Sequence, residues 1–171
     1  MSKIVHGFRL SSPDASGFPD KVRVFNGSIG DMLVYESLRY RTNPNPYQPS
    51  TLLPWTEVYA QIVPTDSNGI PWTCVETPKH GKCIALNDEG PVPTLAPDPN
   101  NGGKMFALAV LIHMASAPKW PGSMACQTVH MDDWTNFISH FTLGEKGVYI
   151  LTDEQQAPDD TVILPQSTFN A

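Results

Sequence analysis

Two side chains in this sequence have the types and the setting for nucleophilic chemistry. The apolar run Met105-Phe-Ala-Leu-Ala-Val-Leu-Ile112 leads into His113, and a turn-rich segment then carries the chain to Cys126-Gln-Thr-Val129. The run is too short to span a bilayer and is bounded by Gly-Gly and by proline-rich sequence, so a buried strand is expected with His113 at its end. The segment around Trp120-Pro-Gly-Ser123 is expected to turn the chain, since proline fixes φ and glycine opens conformations closed to other residues. Cys126 would then face His113. A thiol attacks as the thiolate, and a neighbouring imidazole that takes its proton is a common way to make one near neutral pH.

Other residues near this pair invite a metal reading. Cys126 and His130, with His113 and nearby carboxylates, have donors suited to zinc. No Cys-x-x-Cys or His-Glu-x-x-His pattern accompanies them, and Asp132 reads as the N-cap of a short helix carrying Trp134, Phe137 and Ile138. No metal and no cofactor are therefore expected. His140, at the end of that helix, suits its C-terminal dipole. His80, beside Gly81 in a Thr-Pro-Lys-His-Gly turn, reads as an exposed turn histidine.

The pattern Ile112-His113, Pro118-Lys-Trp120 and Gly122-Ser123-Met-Ala-Cys126-Gln-Thr-Val129 resembles the active-site segment of L,D-transpeptidases. Those enzymes place a histidine after an apolar strand and close a loop on Ser-His-Gly-Cys. Here Met124 stands for the second histidine, Ala125 for the glycine, and Gln127-Thr128 for an apolar residue followed by Arg or Asn. The likeness covers about Lys104 to Leu151, taking in the Asp132–Ile138 helix and Gly147-Val-Tyr-Ile-Leu151 as a closing strand. It implies Cys126 as nucleophile and His113 as base, the latter oriented by a backbone carbonyl close behind it. Ser123, Met124, Ala125, Ser116 and Trp120 would line the substrate or oxyanion site or orient the imidazole. Alanine at position 125 would be strained if the fold required positive φ there. The implied substrate is a peptidoglycan stem peptide, processed through a thioacyl enzyme by transpeptidation or L,D-carboxypeptidase hydrolysis. Two other readings stand beside it: a cysteine hydrolase of another class, and a non-enzymatic β-rich binding or virion protein in which Cys126 is structural.

The elements that must position these residues follow from composition. The chain has 171 residues, enough for one domain with its own core. Its 17 prolines and 12 glycines are spread throughout, which favours short strands and long loops over helices. A mainly β single domain is expected, a β-rich α+β sandwich or barrel like the L,D-transpeptidase catalytic fold, with one short helix near 131–141. A formal net charge of −6 disfavours nucleic acid and anionic membrane as partners. No signal-like N-terminus or membrane-length apolar segment is evident, which suits a phage-encoded wall enzyme or a delivered antibacterial effector, made in the cytoplasm and acting at the wall.

Strands are expected at Ile4–Leu10, at Val22–Phe25 and Met32–Tyr35 in a meander, at Glu57–Val63, and at Trp72–Val75 paired with Lys82–Leu86. Cys74 and Cys83 could bond across the turn between them, or all three cysteines could be reduced. Thr42–Ser50 reads as a surface loop. Asn87–Gly103 reads as a long loop that either rims the active site or is a surface excursion. The segment 153–171 is an acidic tail with one apolar patch at Val162-Ile-Leu164.

Overall fold

The computed structural model describes residues 3–10, 18, 20–26, 38–42, 61–117 and 125–154. The architecture is mainly β. Its strands are β1 (Lys3–Leu10), β2 (Asp20–Asn26), β3 (Leu38–Arg41), β4 (Ile70–Thr77), β5 (Gly81–Leu86), β6 (Val92–Asp98), β7 (Lys104–Ala107), β8 (Leu111–Met114), β9 (Gln127–Val129) and β10 (Lys146–Glu154). Helix α1 (Met131–Ser139) lies between the last two. Eight strands close into a barrel in the order β1-β10-β4-β5-β8-β9-β3-β2, while β6 and β7 form a separate two-stranded sheet. Two joints of the barrel are parallel, β1 with β10 and β8 with β9, and the others are antiparallel.

Side chains alternate across each strand, and the sequence is written to that period. Val5, Val22, Val24, Tyr40, Trp72, Cys74, Ile84, Leu86, Ile112, Val129, Tyr149 and Leu151 all join one buried cluster, which fills the barrel. Helix α1 adds Phe137, followed by Phe141, whose ring meets the Trp72 ring edge-on at 5.2 Å. A polar seam crosses this interior. The Tyr40 and Tyr149 hydroxyls are 2.9 Å apart, and Tyr149 Oη donates to Gln127 Oε1 at 3.4 Å. Gly7 makes room for that pair, because a Cβ there would lie 2.7 Å from the Tyr149 hydroxyl and 3.0 Å from the Tyr40 ring.

Expected and observed elements differ in instructive ways. The apolar run 105–112 is split: its first part is β7 in the small sheet, its last part is β8 in the barrel, and Ala109 between them has φ of 53°. The stretch Asn87–Gly103 is an ordered hairpin arm, since β6 pairs with β7 and exchanges hydrogen bonds with the 61–63 segment, accepting from Val63 N and donating from Leu95 N to the Gln61 carbonyl. Prolines at 93 and 97 suit it because it stands outside the barrel ladder. Of the expected Glu57–Val63 strand, residues 61–63 are described, and Ile62 bridges Thr94. Met32–Tyr35, Asn43–Ser50 and the tail beyond Glu154 lie outside the described residues.

The helix is capped by His130, whose Nδ1 accepts from the Asp132 N–H at 3.1 Å, so Asp132 is a first-turn residue and not the cap. Asp133 clamps the helix to β3 by taking Arg39 Nε at 2.9 Å and Nη2 at 3.0 Å. At the other end the helical cation is Lys3, whose Nζ donates to the His140 carbonyl, while burial lowers the pKa of His140 itself. Cys74 and Cys83 are free thiols: Cys74 lies opposite Ile84 inside the barrel and Cys83 opposite Val75 outside it. Facing opposite ways from adjacent strands, they cannot bond without backbone movement.

Burial ranks the helix aromatics. Phe137 is fully buried in the barrel cluster, whereas Trp134 is partly exposed at its edge. Phe137→Ala is therefore expected to cost about 3 to 5 kcal/mol, and Trp134→Ala distinctly less. Urea unfolding of the two variants checks the order, and a larger loss at Trp134 would contradict it.

Candidate functional site

The parallel joint of β8 and β9 decides where the histidine and the cysteine stand. Its register sets Ile112 beside Gln127 and His113 beside Thr128. Ile112 points into the barrel, so His113 and Thr128 belong to the outer face. Cys126 continues the same alternation beside Leu111, whose N–H donates to Sγ at 3.3 Å. His113 and Cys126 thus share one face of adjacent strands, two residues out of level. Strand spacing and rise put such Cα atoms about 8 Å apart, a gap that a thiol and an imidazole leaning together can narrow.

The tautomer of His113 is set by its backbone. Nδ1 lies 2.8 Å from the Met114 carbonyl oxygen, which only accepts, so Nδ1 carries the proton and Nε2 carries the free lone pair. Burial lowers the pKa of His113 to about 4, against the raising effect of the Met114 bond, and the positive ends of His80 and Lys79 add to the fall. Cys126 moves the other way. Burial raises its pKa, opposed by the Leu111 N–H, and its thiol donates to the Ala109 carbonyl at 3.7 Å. Burial thus favours the neutral form of both side chains.

The floor of this face is apolar. Cys83, Ala85 and Leu111 form a small cluster with Val75, Cys126 and Trp134 packed on it. The Thr128 hydroxyl, level with His113, is buried with no hydrogen-bond partner among the described residues. Backbone strain gathers beside it: Asn87, Asp88 and Glu89 have φ of 51°, 50° and 64°, and the Glu89 carbonyl accepts from Ala109 N at 2.9 Å. The turn 87–89 is pinned by Thr73 Oγ1 on Asp88 Oδ1 at 2.9 Å and by Asn87 Nδ2 on the Pro91 carbonyl at 2.8 Å.

Of the remaining expected site residues, Ala125 is half-buried, packs on the barrel cluster and has no positive φ, so the backbone there imposes no need for glycine. Ser116 is exposed just past the end of β8. Trp120, Ser123 and Met124 lie outside the described residues. Among the described residues no group of three or more His, Cys, Asp or Glu side chains is arranged to hold a metal ion, and no helix is long and apolar enough to cross a membrane.

His80 is the site residue that sequence reasoning misplaced. It stands in the β4–β5 turn with its ring stacked on that of His113, centroids 3.9 Å apart and planes 17° apart. Its backbone N–H donates to Thr77 Oγ1 at 3.0 Å, which fixes the turn. The signal lay in the neighbouring strands: once β5 is placed between β4 and β8, the turn ending at Gly81 falls beside the end of β8.

No family model, curated protein or solved structure matches this chain.

Burial of neutral histidines makes stability depend on pH. His113, at about 4, and His6, which burial and then the Arg23 charge lower to about 3, both sit below the ordinary 6.5. Between those values the unfolded chain binds more protons than the native one, so native stability is full above pH 6.5 and falls as pH drops. From pH 7 to 5 each histidine is expected to cost roughly 1 to 2 kcal/mol. Urea unfolding at pH 7, 6 and 5 reads the slope, and His113→Asn should remove one histidine's share. An unchanged slope in that variant would show that His113 is not buried neutral.

Proposed function

We propose that this chain is a cysteine-dependent enzyme of peptidoglycan stem peptides, of L,D-transpeptidase or L,D-carboxypeptidase type. The observation that carries the reading is the His113 tautomer. A carbonyl immediately behind the histidine holds Nδ1–H and leaves Nε2 as acceptor on the face that carries Cys126, the arrangement that the resemblance implies for the base. The residues of the Ser123–Cys126 segment support it by sequence likeness alone.

In this reading Nε2 of His113 takes the Cys126 proton as Sγ attacks the carbonyl carbon of an L-centred residue. Backbone N–H groups at Cys126 and its neighbours hold the oxyanion. The tetrahedral intermediate collapses with cleavage of the C–N bond, and His113 returns the proton to the departing D-residue amine, leaving a thioester on Cys126. An amine then takes the acyl group to give a cross-link or an exchanged residue, or water takes it to give hydrolysis. An apolar floor of Ala85, Leu111 and Trp134 shields the thioester. A phage-encoded wall enzyme or a delivered effector, acting at the cell wall, fits this activity.

One observation favours the structural alternative. Cys126 donates its proton to the Ala109 carbonyl and packs on an apolar cluster, as an inert thiol would. Reactivity separates the two, because a catalytic thiol alkylates at pH 6 to 7 and an inert buried one does not.

Cys126→Ala and Cys126→Ser are expected to keep the fold and abolish processing of stem tetrapeptides. His113→Ala should lower the rate on the order of 10²- to 10⁴-fold by removing the base, whereas Met124→His should change it only modestly. Mass spectrometry of the released D-residue and of exchanged or cross-linked peptide follows each variant, alongside intact mass after exposure to a carbapenem. Processing by Cys126→Ala at the wild-type rate would end the enzymatic reading.

A further inference from the structure

His80 touches His113 and has no part in the reaction proposed above. Cys83 and Thr128 flank His113 on the neighbouring strands, Met114 holds its Nδ1, and Cys126 lies diagonally across the joint. Helix α1 brings Trp134 to this face, while its acidic Asp133 is engaged with Arg39. His80 covers the imidazole plane itself, nearly parallel at 3.9 Å.

We propose that His80 is a positioning residue for His113, a second imidazole that covers the face of the base, fixes its ring plane and keeps water and protons from it. The proposal rests on the reading of His113 as base. Stacking suits this task because the contact restrains ring rotation about the Cβ–Cγ bond, leaving the Met114 bond to fix the ring's direction. The His80 ring is itself held from behind, since its backbone N–H is tied to Thr77 and the next residue, Gly81, has φ of 64° in a two-strand turn closed by the Thr77–Gly81 pair. Two adjacent imidazoles also resist double protonation, because like charges at this distance repel. The charge of Lys79, exposed on the same turn, acts on both rings in the same direction.

The test compares wild type, His80→Ala and His80→Phe by two readouts. The first is the titration midpoint of the His113 imidazole by NMR on labelled protein, assigned through His113→Asn. The second is the pH profile of Cys126 alkylation by iodoacetamide. Removing the cover in His80→Ala rehydrates His113 and is expected to raise its midpoint by about one pH unit or more, moving the acid limb of alkylation up with it. His80→Phe keeps an aromatic face but loses the repelling charge, so both should lie between wild type and His80→Ala. An unmoved midpoint in His80→Ala, or a His80→Phe that behaves like His80→Ala, overturns the proposal. If wild-type Cys126 does not alkylate at any pH below its own thiol titration, the enzymatic reading falls, and the NMR midpoints still decide whether His80 holds His113.

Discussion

Pairing β8 with β9 in parallel demands that the chain leave one end of the barrel and re-enter the sheet at the other, because parallel neighbours cannot be joined by a tight hairpin. That crossover brings residues 113 and 126 to one side of one sheet. In an antiparallel return the loop itself would have set their spacing. Here the register sets it: with Ile112 and Gln127 level and inward, His113, Thr128, Leu111 and Cys126 are outward by alternation. A slip of one residue would move the cysteine into the barrel among aliphatic side chains and leave a glutamine outside. The inward Gln127 guards against that slip, because its amide oxygen accepts from the Tyr149 hydroxyl and its Nε2 donates to the Ala125 carbonyl. A buried polar group with its partners in place fixes a register more firmly than an apolar one.

Burial then works on both members of the pair in the direction of neutrality. The imidazole is pushed down to about 4 and the thiol upward, so at neutral pH an ion pair is not the resting state. In the proposed reaction proton transfer would therefore accompany attack and not precede it. This differs from cysteine sites in which a helix N-terminus or a cation holds the thiolate permanently, and among the described residues no helix begins at Cys126. The Leu111 N–H donates to the sulfur, and it offsets only part of the burial.

Much of this was legible in the residue order. Period-two alternation placed β1 nearly to its ends, the strand expectations at Val22–Phe25 and Trp72–Val75 caught the middles of β2 and β4, that at Lys82–Leu86 caught nearly all of β5, and the short apolar run with a terminal histidine marked β8. What the sequence did not carry was the partition of strands between sheets. Met105 to Ile112 is one continuous apolar run, and only the left-handed backbone at Ala109, which alanine does not advertise, cuts it into two strands of different sheets. The 87–103 stretch reads as loop because proline and asparagine are strand-poor, yet an arm outside the barrel ladder tolerates them. His80 was illegible for a related reason. Its role depends on β5 lying between β4 and β8, a non-local pairing that no local pattern encodes. The helix cap was misassigned by two residues, because a histidine at 130 accepts the capping bond that a carboxylate at 132 was expected to supply.

The backbone strain bears on whether Cys126 packs or reacts. Left-handed conformations cost an L-residue on the order of 1 to 2 kcal/mol, and the described part of the chain contains four such non-glycine residues. Three form the turn 87–89, the fourth is Ala109, which donates to the Glu89 carbonyl, and the Ala109 carbonyl receives the Cys126 thiol. All four therefore lie in one line of contacts that ends at the sulfur. Strain that persists where it could be relieved by glycine or by relaxing the turn marks a position whose geometry matters. The Ala109 carbonyl accepts the thiol hydrogen at 3.7 Å and the Leu111 N–H donates to the sulfur at 3.3 Å, so the backbone sets the direction of the thiol. In the proposed reaction the backbone would thus orient the reacting sulfur, and thiol reactivity tells that role from packing.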